Sequence, residues 1–247
     1  MAFMLQIRCA KAEFVTIEKG FHMLLEMTRA TQAGLRQEKQ YEVISNHLAN
    51  ASTTGFKKDV LSFDQVMKAT LTTDFSIGDP QITGGKLDVA LGSKGFFKVE
   101  TPQGVRYTRN GNFFLNTDRQ IVNAKGYPVL GENGPITLEG KDVFINEIGQ
   151  VFSDGALADR LSVVDFPAYN QLVKEGDNNF RYEGNAGDET APQGLRIIHG
   201  ALESSNMNVI YEMTKMIESH RMYESINKMM RTIDELDGEA NTMATAD

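Results

Sequence analysis

NVIYEMTKMIESHRMYESINKMMRTIDELD, residues 208–237, is the stretch that decides the fold. No proline or glycine interrupts it, and its apolar residues recur at alternating spacings of four and three, as on one face of an α-helix. The opposite side is charged, and Glu224 stands four residues before Lys228, the favourable order for a helical ion pair. Gly238 follows where a helix is commonly capped. The stretch therefore predicts a helix about 45 Å long, at about 1.5 Å per residue.

The apolar positions of this helix form two stripes that join at a step of three residues, so the apolar face broadens along the helix. The stripes contain Val209, Met213, Met216, His220 and Tyr223, then Met222, Ile226, Met229, Ile233 and Leu236. A broad face favours several helical neighbours over one, although the core helix of an ordinary globular domain has a similar pattern. The unbranched methionine side chains suit an interface that must fit slightly different surroundings.

Length and composition argue against several classes of protein. The 247 residues are enough for one or two domains with a real core, and the net charge of −8 argues against a nucleic-acid partner. No apolar run approaches the ~20 residues of a membrane span, so membrane insertion is not expected. The amino terminus lacks a basic region, an apolar core and a small-residue cleavage site in sequence, so we expect no cleaved export signal. Cys9 is the only cysteine, which excludes a disulfide framework and a cysteine metal site.

The first 22 residues do not fit the pattern that follows them. They precede Met23, after which helical spacing begins, and the purine-rich codons of Glu18, Lys19 and Gly20 are able to encode a ribosome-binding site. We therefore expect Met23 to be the natural start and residues 1–22 to be a mis-annotated extension. The expected segments are 1–22, a helix and polar turn at 23–59, an extended linker at 60–83, a β-rich domain at 84–200 and an assembly helix at 201–247.

A second helix is predicted from Leu24 to about Asn50. Its apolar face is thinner than that of the carboxyl-terminal helix, and it passes into a polar stretch at residues 46–59 that is rich in Asn, Ser, Thr and Gly. Such residues end a helix and set a turn, because their short side chains bond the local backbone and glycine adopts positive φ. Phe56 is the expected apolar anchor of this turn.

The middle of the chain has β character. Leu87, Val89 and Leu91 alternate with polar or small residues, and Pro102-Gln103-Gly104 reads as a hairpin turn. Further short strands are predicted near 112–115, 121–123, 128–130, 136–138, 143–145, 150–152 and 161–166, whereas 170–200 reads as loops. Many short strands at this spacing indicate an antiparallel barrel or sandwich. The predicted fold class is α+β: a central antiparallel all-β domain, with the amino- and carboxyl-terminal helices in a coiled-coil-like layer.

Candidate catalytic and metal sites are weak. His22, His47, His199 and His220 are scattered without a ligand spacing, and the 177–189 loop has Arg181 where a calcium loop requires a ligand. No nucleophile elbow or phosphate loop occurs in the sequence. We therefore expect no enzyme activity and no cofactor.

Several motifs resemble those of the bacterial flagellar rod and hook axial proteins. They are VISNHLANAST at 43–53 with GFK at 55–57, LDVAL at 87–91 with GFF at 95–97, YTRNG at 107–111, and LESSN at 202–206. NGPIT at 133–137, VVDF at 163–166 and TIDELDG at 232–238 are most similar to the proximal rod branch of that family, with the distal branch as the runner-up. Two departures are His47, where the motif has Asn, and the turn 118–120, which lacks a common glycine.

The resemblance implies a structural subunit of the flagellar basal-body rod, located where the rod spans the periplasm. Its partners would be copies of itself, other rod proteins and the flagellar type III export apparatus, through which it would pass without signal cleavage. The terminal helices would pair in the inner layer of the rod and help transmit torque, and the β-domain would lie outside. The expected assembly residues are Met27, Tyr41, Ile44, Asn46, Leu48, Asn50, Gly55, Phe56, Met213, Ile217, Tyr223, Ile226, Met229, Ile233 and Leu236.

Two other classes of function stay open on the sequence alone. A secreted β-domain binding module would keep its activity after both terminal helices are removed. An enzyme would need a polar pocket, and no motif in the sequence predicts one.

Overall fold

The computed structural model describes residues 2–64, 68–140, 142–185 and 187–244. The chain divides into two compact units. A helical unit contains residues 1–46, 61–70 and 210–247, and a β unit contains residues 47–60 and 71–209.

Two long helices dominate the helical unit. Helix α1 runs over Ala2–Ala49 and helix α2 over Val209–Ala244. Helix α1 thus begins well before the predicted Leu24, and α2 continues through Gly238 because one glycine costs only ~1 kcal/mol in a helix. None of the described helices is long and apolar enough to cross a lipid bilayer.

The two helices contact each other. A Cβ atom built on Gly34 lies 3.8 Å from Cγ2 of Ile226. Gln37 donates a hydrogen bond from Nε2 to Oγ of Ser219 at 2.5 Å. From position 34 to position 37 of α1, the contacted residue of α2 changes from 226 to 219. The two helices are therefore antiparallel at this contact. A side-chain methyl group at position 34 would make only an ordinary van der Waals contact with Ile226, so this contact does not require glycine. A regular coiled-coil layer stays a prediction.

The described strands are short and antiparallel, and most of them lie in the β unit, although residues 61–70 of the helical unit include parts of the first two. In chain order they are β1 Asp59–Phe63, β2 Ala69–Thr73, β3 Pro80–Ile82, β4 Val89–Leu91, β5 Phe96–Thr101, β6 Gly104–Thr108, β7 Phe114–Leu115, β8 Ile121–Val122, β9 Leu130–Gly131, β10 Gly134–Pro135, β11 Val143–Ile145, β12 Gln150–Ser153, β13 Ala156–Arg160, β14 Val163–Val164, β15 Leu172–Gly176, β16 Asn179–Tyr182, β17 Ile197–His199 and β18 Ala201–Glu203. A 3₁₀ turn covers Tyr169–Gln171.

The largest sheet has five strands in the order β14-β5-β6-β16-β15, and β11-β12-β13 form a second sheet. Strand β4 pairs with β17, and β3 pairs with β18. These two pairs bring the start of the β unit beside its end. The antiparallel α+β class predicted from the sequence is therefore confirmed.

Two apolar clusters fill the β unit. The larger one includes the fully buried side chains of Val89, Phe97, Val99, Ile121, Ile145 and Val151. The second is aromatic and contains Phe96, Tyr107, Phe166 and Phe180, with Phe75, Tyr169 and Tyr182 packed against it. Alternate residues of β12 point inward, as expected for strands with one buried face.

The strand predictions succeed where apolar alternation is strong. The Pro102-Gln103 turn joins β5 to β6, with Thr101 opposite Gly104. The loop interpretation of 170–200 is wrong, because β15, β16 and β17 lie there. Strand β15 is half exposed and polar, so its sequence resembles a loop. The predicted extended linker at 60–83 contains most of β1 and all of β2 and β3.

Three turns of the β unit share one asparagine-centred geometry. They begin at Asn116, Asn123 and Asn146, whose side-chain Oδ1 accepts the backbone N–H four residues later at 2.8–3.0 Å. The residue three positions after each asparagine has positive φ: Arg119 (61°), Gly126 (82°) and Gly149 (85°). The turn that lacks glycine therefore keeps the same shape.

Arg119 adopts the left-handed conformation although an L-residue there is disfavoured by about 1–2 kcal/mol. Its guanidinium donates to the carbonyl of Leu138 at 2.8 Å and also to the carbonyl of Gly140. Charge-assisted hydrogen bonds of this kind offset the backbone cost. The missing glycine does not alter the hairpin.

Candidate functional site

A buried ionic cluster joins three of the sequence motifs within the β unit. Lys57 Nζ donates to Glu203 Oε1 at 2.5 Å, and Arg109 Nε lies 3.4 Å from Glu203 Oε2. All three side chains are at most 2% exposed. Lys57 also donates to the carbonyl of Ser76, and Glu203 Oε1 accepts the backbone N–H of Gly78. The cluster holds the segments after α1 and before α2 against strand β6.

The cluster contains two cations and one anion, which is costly away from water. Burial lowers the pKa of the Lys57 ammonium, an effect that the adjacent Glu203 carboxylate partly opposes. Burial also lowers the pKa of the Arg109 guanidinium, which donates to the carbonyl of Ser93 at 2.8 Å. The carboxylate of Glu203 is therefore the group that makes both buried cations tolerable.

Gly55 fixes the backbone beside this cluster. Its N–H donates to the carbonyl of Glu203 at 2.8 Å, and its φ is +67°. A Cβ atom at this position would lie 2.6 Å from the carbonyl carbon of Arg109. Both the conformation and the close approach therefore require glycine.

Phe56 and His47 complete the turn after α1. Phe56 is 5% exposed, and Lys174 Nζ lies 4.7 Å from the centre of its ring. His47 is buried, and its Nε2 accepts the backbone N–H of Asp59 at 3.0 Å. The imidazole thus supplies a local acceptor where the motif has Asn. Asn206 adds a second tie, since its Oδ1 accepts the N–H of Lys58 at 2.8 Å.

The expected assembly residues do not all lie on one kind of surface. Ile44, Gly55, Phe56 and Ile226 are buried, and Leu48, Asn50 and Ile233 are half-buried. The exposed members are Met27, Tyr41, Asn46, Met213, Ile217, Tyr223, Met229 and Leu236. The buried residues thus pack within the single chain, whereas the exposed ones keep much of their side-chain surface accessible to solvent.

The buried stripe of α2 differs from the stripes read in the sequence. Its most buried side chains are Glu212, Ser219 and Ile226, spaced by seven residues. Two of the three are polar, so apolar periodicity does not reveal them. Met213, Ile217, Met229 and Leu236 are each more than half exposed, and Ile210 is 78% exposed. Much of the apolar surface predicted to need covering is therefore uncovered in the single chain.

The arrangement can support binding and rigidity, and no catalytic constellation is visible in the described residues. No group of three or more potential metal-ligating side chains comes together among them. Sequence reasoning did not select Lys57, Arg109 or Glu203, although all three lie in the motifs quoted above. Each of the three is the one charged residue of its motif, and this was the signal that could have identified these residues from the sequence.

Comparison with known proteins agrees with these features. A family model described as "Flagellar hook protein FlgE/F/G D1 domain" matches residues 90–153, and one described as "Flagellar basal body rod FlgEFG protein C-terminal" matches residues 198–243. The chain is 34% identical to flagellar basal-body rod protein FlgF of Caulobacter vibrioides over 241 residues, covering 87% of this chain and 97% of that protein.

Two further relatives cover similar shares. The chain is 33% identical to FlgF of Salmonella typhimurium, over 83% of this chain and 92% of that protein. It is 29% identical to flagellar basal-body rod protein FlgG of Bacillus subtilis, over 85% of this chain and 97% of that protein.

Proposed function

This chain belongs to the family of flagellar basal-body rod proteins, and we propose that it is a structural subunit that assembles through its terminal helices in the proximal part of the rod. The observation that carries this proposal is the exposed apolar surface of α2. Surface of this kind, on a long helix, is typical of an interface with other chains.

The exposed apolar residues lie in two places on α2. Ile210, Met213 and Ile217 lie on the side opposite the buried stripe, and Met222, Met229 and Leu236 lie beside that stripe. A single additional helix cannot cover both places. We propose that the terminal helices of several neighbouring subunits cover them, in a head-to-tail interface that continues as an open filament.

The buried ionic cluster gives the subunit its mechanical role in this proposal. Lys57 follows α1 in sequence and Glu203 precedes α2, so their buried ion pair joins, inside the β unit, the segment that leaves α1 to the segment that leads into α2. Buried charged groups resist displacement, because moving one of them away would leave its partner buried and unpaired. Torque carried into these two segments would then be resisted by the folded β unit.

A place in the distal rod is the second candidate. It is favoured by the 29% identity to FlgG, which is only a few per cent below the identities to FlgF. The motifs at 133–137, 163–166 and 232–238 favour FlgF, so the proximal rod is our first choice. We further propose export through the flagellar type III apparatus; the single cysteine is compatible with a chain that must stay unfolded in transit.

The test is incorporation of helix variants into purified hook–basal-body complexes. Ile217→Asp and Met229→Asp place a charge on the exposed apolar surface, and we expect both to abolish incorporation. Leu157→Asp is the matched control, because it makes the same kind of change at an apolar residue of the β unit that is 57% exposed. Normal rods containing Ile217→Asp and Met229→Asp would overturn the proposed interface.

A second measurement separates the proximal from the distal position. Quantitative mass spectrometry of the same complexes gives the copy number of this protein relative to the other rod proteins. We expect a few copies per complex for a proximal segment, whereas many copies would favour the distal rod. The most amino-terminal peptide recovered tests whether residues 1–22 are expressed.

A further inference from the structure

An open cleft of about 310 Å³ lies in the β unit, separate from the ionic cluster. Its walls come from four segments, at 50–53, 108–110, 123–125 and 177–179. Nearly all the lining side chains are amides, hydroxyls or charged groups, and Ala124 is the exception. Its volume is within the range of small-ligand sites, but those sites are mostly apolar. A ligand of this cleft must therefore be polar.

One wall of the cleft differs from its two counterparts elsewhere in the β unit. In the turns at Asn116 and Asn146, the side-chain Nδ2 donates to Oε1 of the glutamine four residues later, at 3.3 and 2.8 Å. The turn at Asn123 has Tyr127 in that position. Its Oδ1 still accepts two backbone N–H groups at 3.0 Å, but its Nδ2 makes no hydrogen bond with the described residues. The turn thus leaves one amide donor open to the cleft.

Asn179 supplies a second open amide. It is only 7% exposed and lines the cleft, and its side chain makes no hydrogen bond with any described residue. Its amide atoms are not fully enclosed, so they are open to solvent and to a ligand in the cleft. Asn110 is a third case, since its Oδ1 accepts the N–H of Asn112 while its Nδ2 has no partner in the described part of the chain. Three amide groups therefore converge on the cleft with unused hydrogen-bonding capacity.

The charges around the cleft favour a neutral ligand. Lys125 Nζ and Asp177 Oδ1 lie 3.3 Å apart, and both residues line the cleft. Their charges cancel, and the carboxylate of Asp177 would repel an anion that approached the amide donors. The remaining polar side chains of the lining are uncharged.

The walls do not suit the usual modes of peptide recognition. Addition of a strand needs an unpaired sheet edge, but β16 is paired on both sides, with β6 and β15. Helix and polyproline ligands need apolar or aromatic walls, which this lining lacks. With strand, helix and polyproline ligands excluded, these walls fit a compact ligand that carries several neutral hydrogen-bond acceptors and donors close together. We propose that this cleft binds a saccharide through the side-chain amides of Asn110, Asn123 and Asn179.

The test is an NMR titration of the full-length protein, observing the side-chain amide signals. The probes are the trisaccharide of N-acetylglucosamine and maltotriose, which lacks acetamido groups. We expect either sugar to shift the signals of Asn110, Asn123 and Asn179. Asn123→Asp keeps the oxygen that caps the turn but removes the amide donor, so it should weaken binding roughly tenfold, as loss of one hydrogen bond does.

Asn146→Asp is the matched control, because it makes the same change in the equivalent turn outside the cleft. It should leave sugar binding unchanged, and the melting temperatures of both variants check that each is folded. Inorganic phosphate and acetyl-triglycine amide are the competing probes. Shifts caused by phosphate alone, by the peptide alone, or by none of the probes would overturn the proposal, as would equal weakening by Asn123→Asp and Asn146→Asp.

Discussion

Lys57 and Glu203 are 146 positions apart in the sequence, yet their side chains form a 2.5 Å hydrogen-bonded ion pair that is almost completely buried. Lys57 lies in the turn after α1, and Glu203 is the last residue of β18, shortly before α2. The pair therefore closes the β unit at the point where its first and last segments meet. Arg109, which comes from the middle of the chain, also contacts the Glu203 carboxylate.

Replacing Glu203 by Gln should be strongly destabilising. The variant leaves two buried cations without their shared carboxylate, and breaking a buried pair in this way costs about 3–5 kcal/mol. Urea unfolding followed by circular dichroism measures the loss. Glu132→Gln is the control, since its ion pair with Arg160 is 43–60% exposed and should contribute less than about 1 kcal/mol. Equal losses in the two variants would show that the buried cluster has no special role.

Gly55 and Gly84 form a matched pair for a second prediction. Both have φ near +70°, so alanine should cost about 1–2 kcal/mol of backbone strain at either position. A Cβ at Gly84 meets nothing within 4 Å, whereas one at Gly55 would lie 2.6 Å from the backbone of Arg109. Gly55→Ala should therefore lose a further ~1–3 kcal/mol from overpacking, measured by chemical unfolding. Equal effects of the two substitutions would contradict the close approach described here.

The parts of the fold that the sequence predicted correctly are those with strong local signals. Val89 and Leu91 alternate with small or polar residues, and Pro102-Gln103 forms the turn that the sequence announces. Strands β15 and β16 were missed because charged and polar residues interrupt their apolar residues, and because the Asp177-Asn178 turn, with positive φ at both residues, resembles a solvated loop. Local pattern cannot reveal strands whose stability comes from neighbours distant in sequence.

The candidate site was predictable only in part. The motifs containing Gly55, Phe56 and Glu203 were visible in the sequence, and the structure brings them together. The pairing of Lys57 with Glu203 was not predictable, because a formal charge does not indicate whether a side chain is buried or which partner it has. Glu212 and Ser219 were missed on α2 for a related reason, since a polar side chain is not expected in a buried stripe.

Stability should fall at high pH through Tyr107. Burial, and then its hydrogen bond to Glu189 at 2.5 Å, raises the pKa of its phenol well above the ordinary value of 10.0. A raised pKa in the folded state contributes stability below the unfolded value, and this contribution is lost as the pH rises past about 10. Tyr107→Phe should lower stability by about 1 kcal/mol at neutral pH and reduce the decline above pH 10.

The measurement is the free energy of unfolding of both proteins between pH 7 and about pH 12. Burial and the carboxylate of Asp165 raise the pKa of Tyr169 in the same direction, so the single variant should reduce the alkaline decline without removing it. Parallel pH profiles for the two proteins would contradict a role for Tyr107.

The terminal helices should be largely unprotected in the free subunit. Helix α2 exposes Ile210, Ile217 and Met229, and the stripe that it buries against α1 is narrow and partly polar. That contact offers little apolar burial to offset the entropy of ordering more than thirty residues of helix. Hydrogen exchange should therefore find fast-exchanging amides along α2 and protected amides in β4 and β17, whose side chains line the larger apolar cluster. In assembled rods the α2 amides should become protected, because neighbouring helices then cover the apolar surface. Protection of α2 in the monomer equal to that of β4 would show that the helical unit folds without partners.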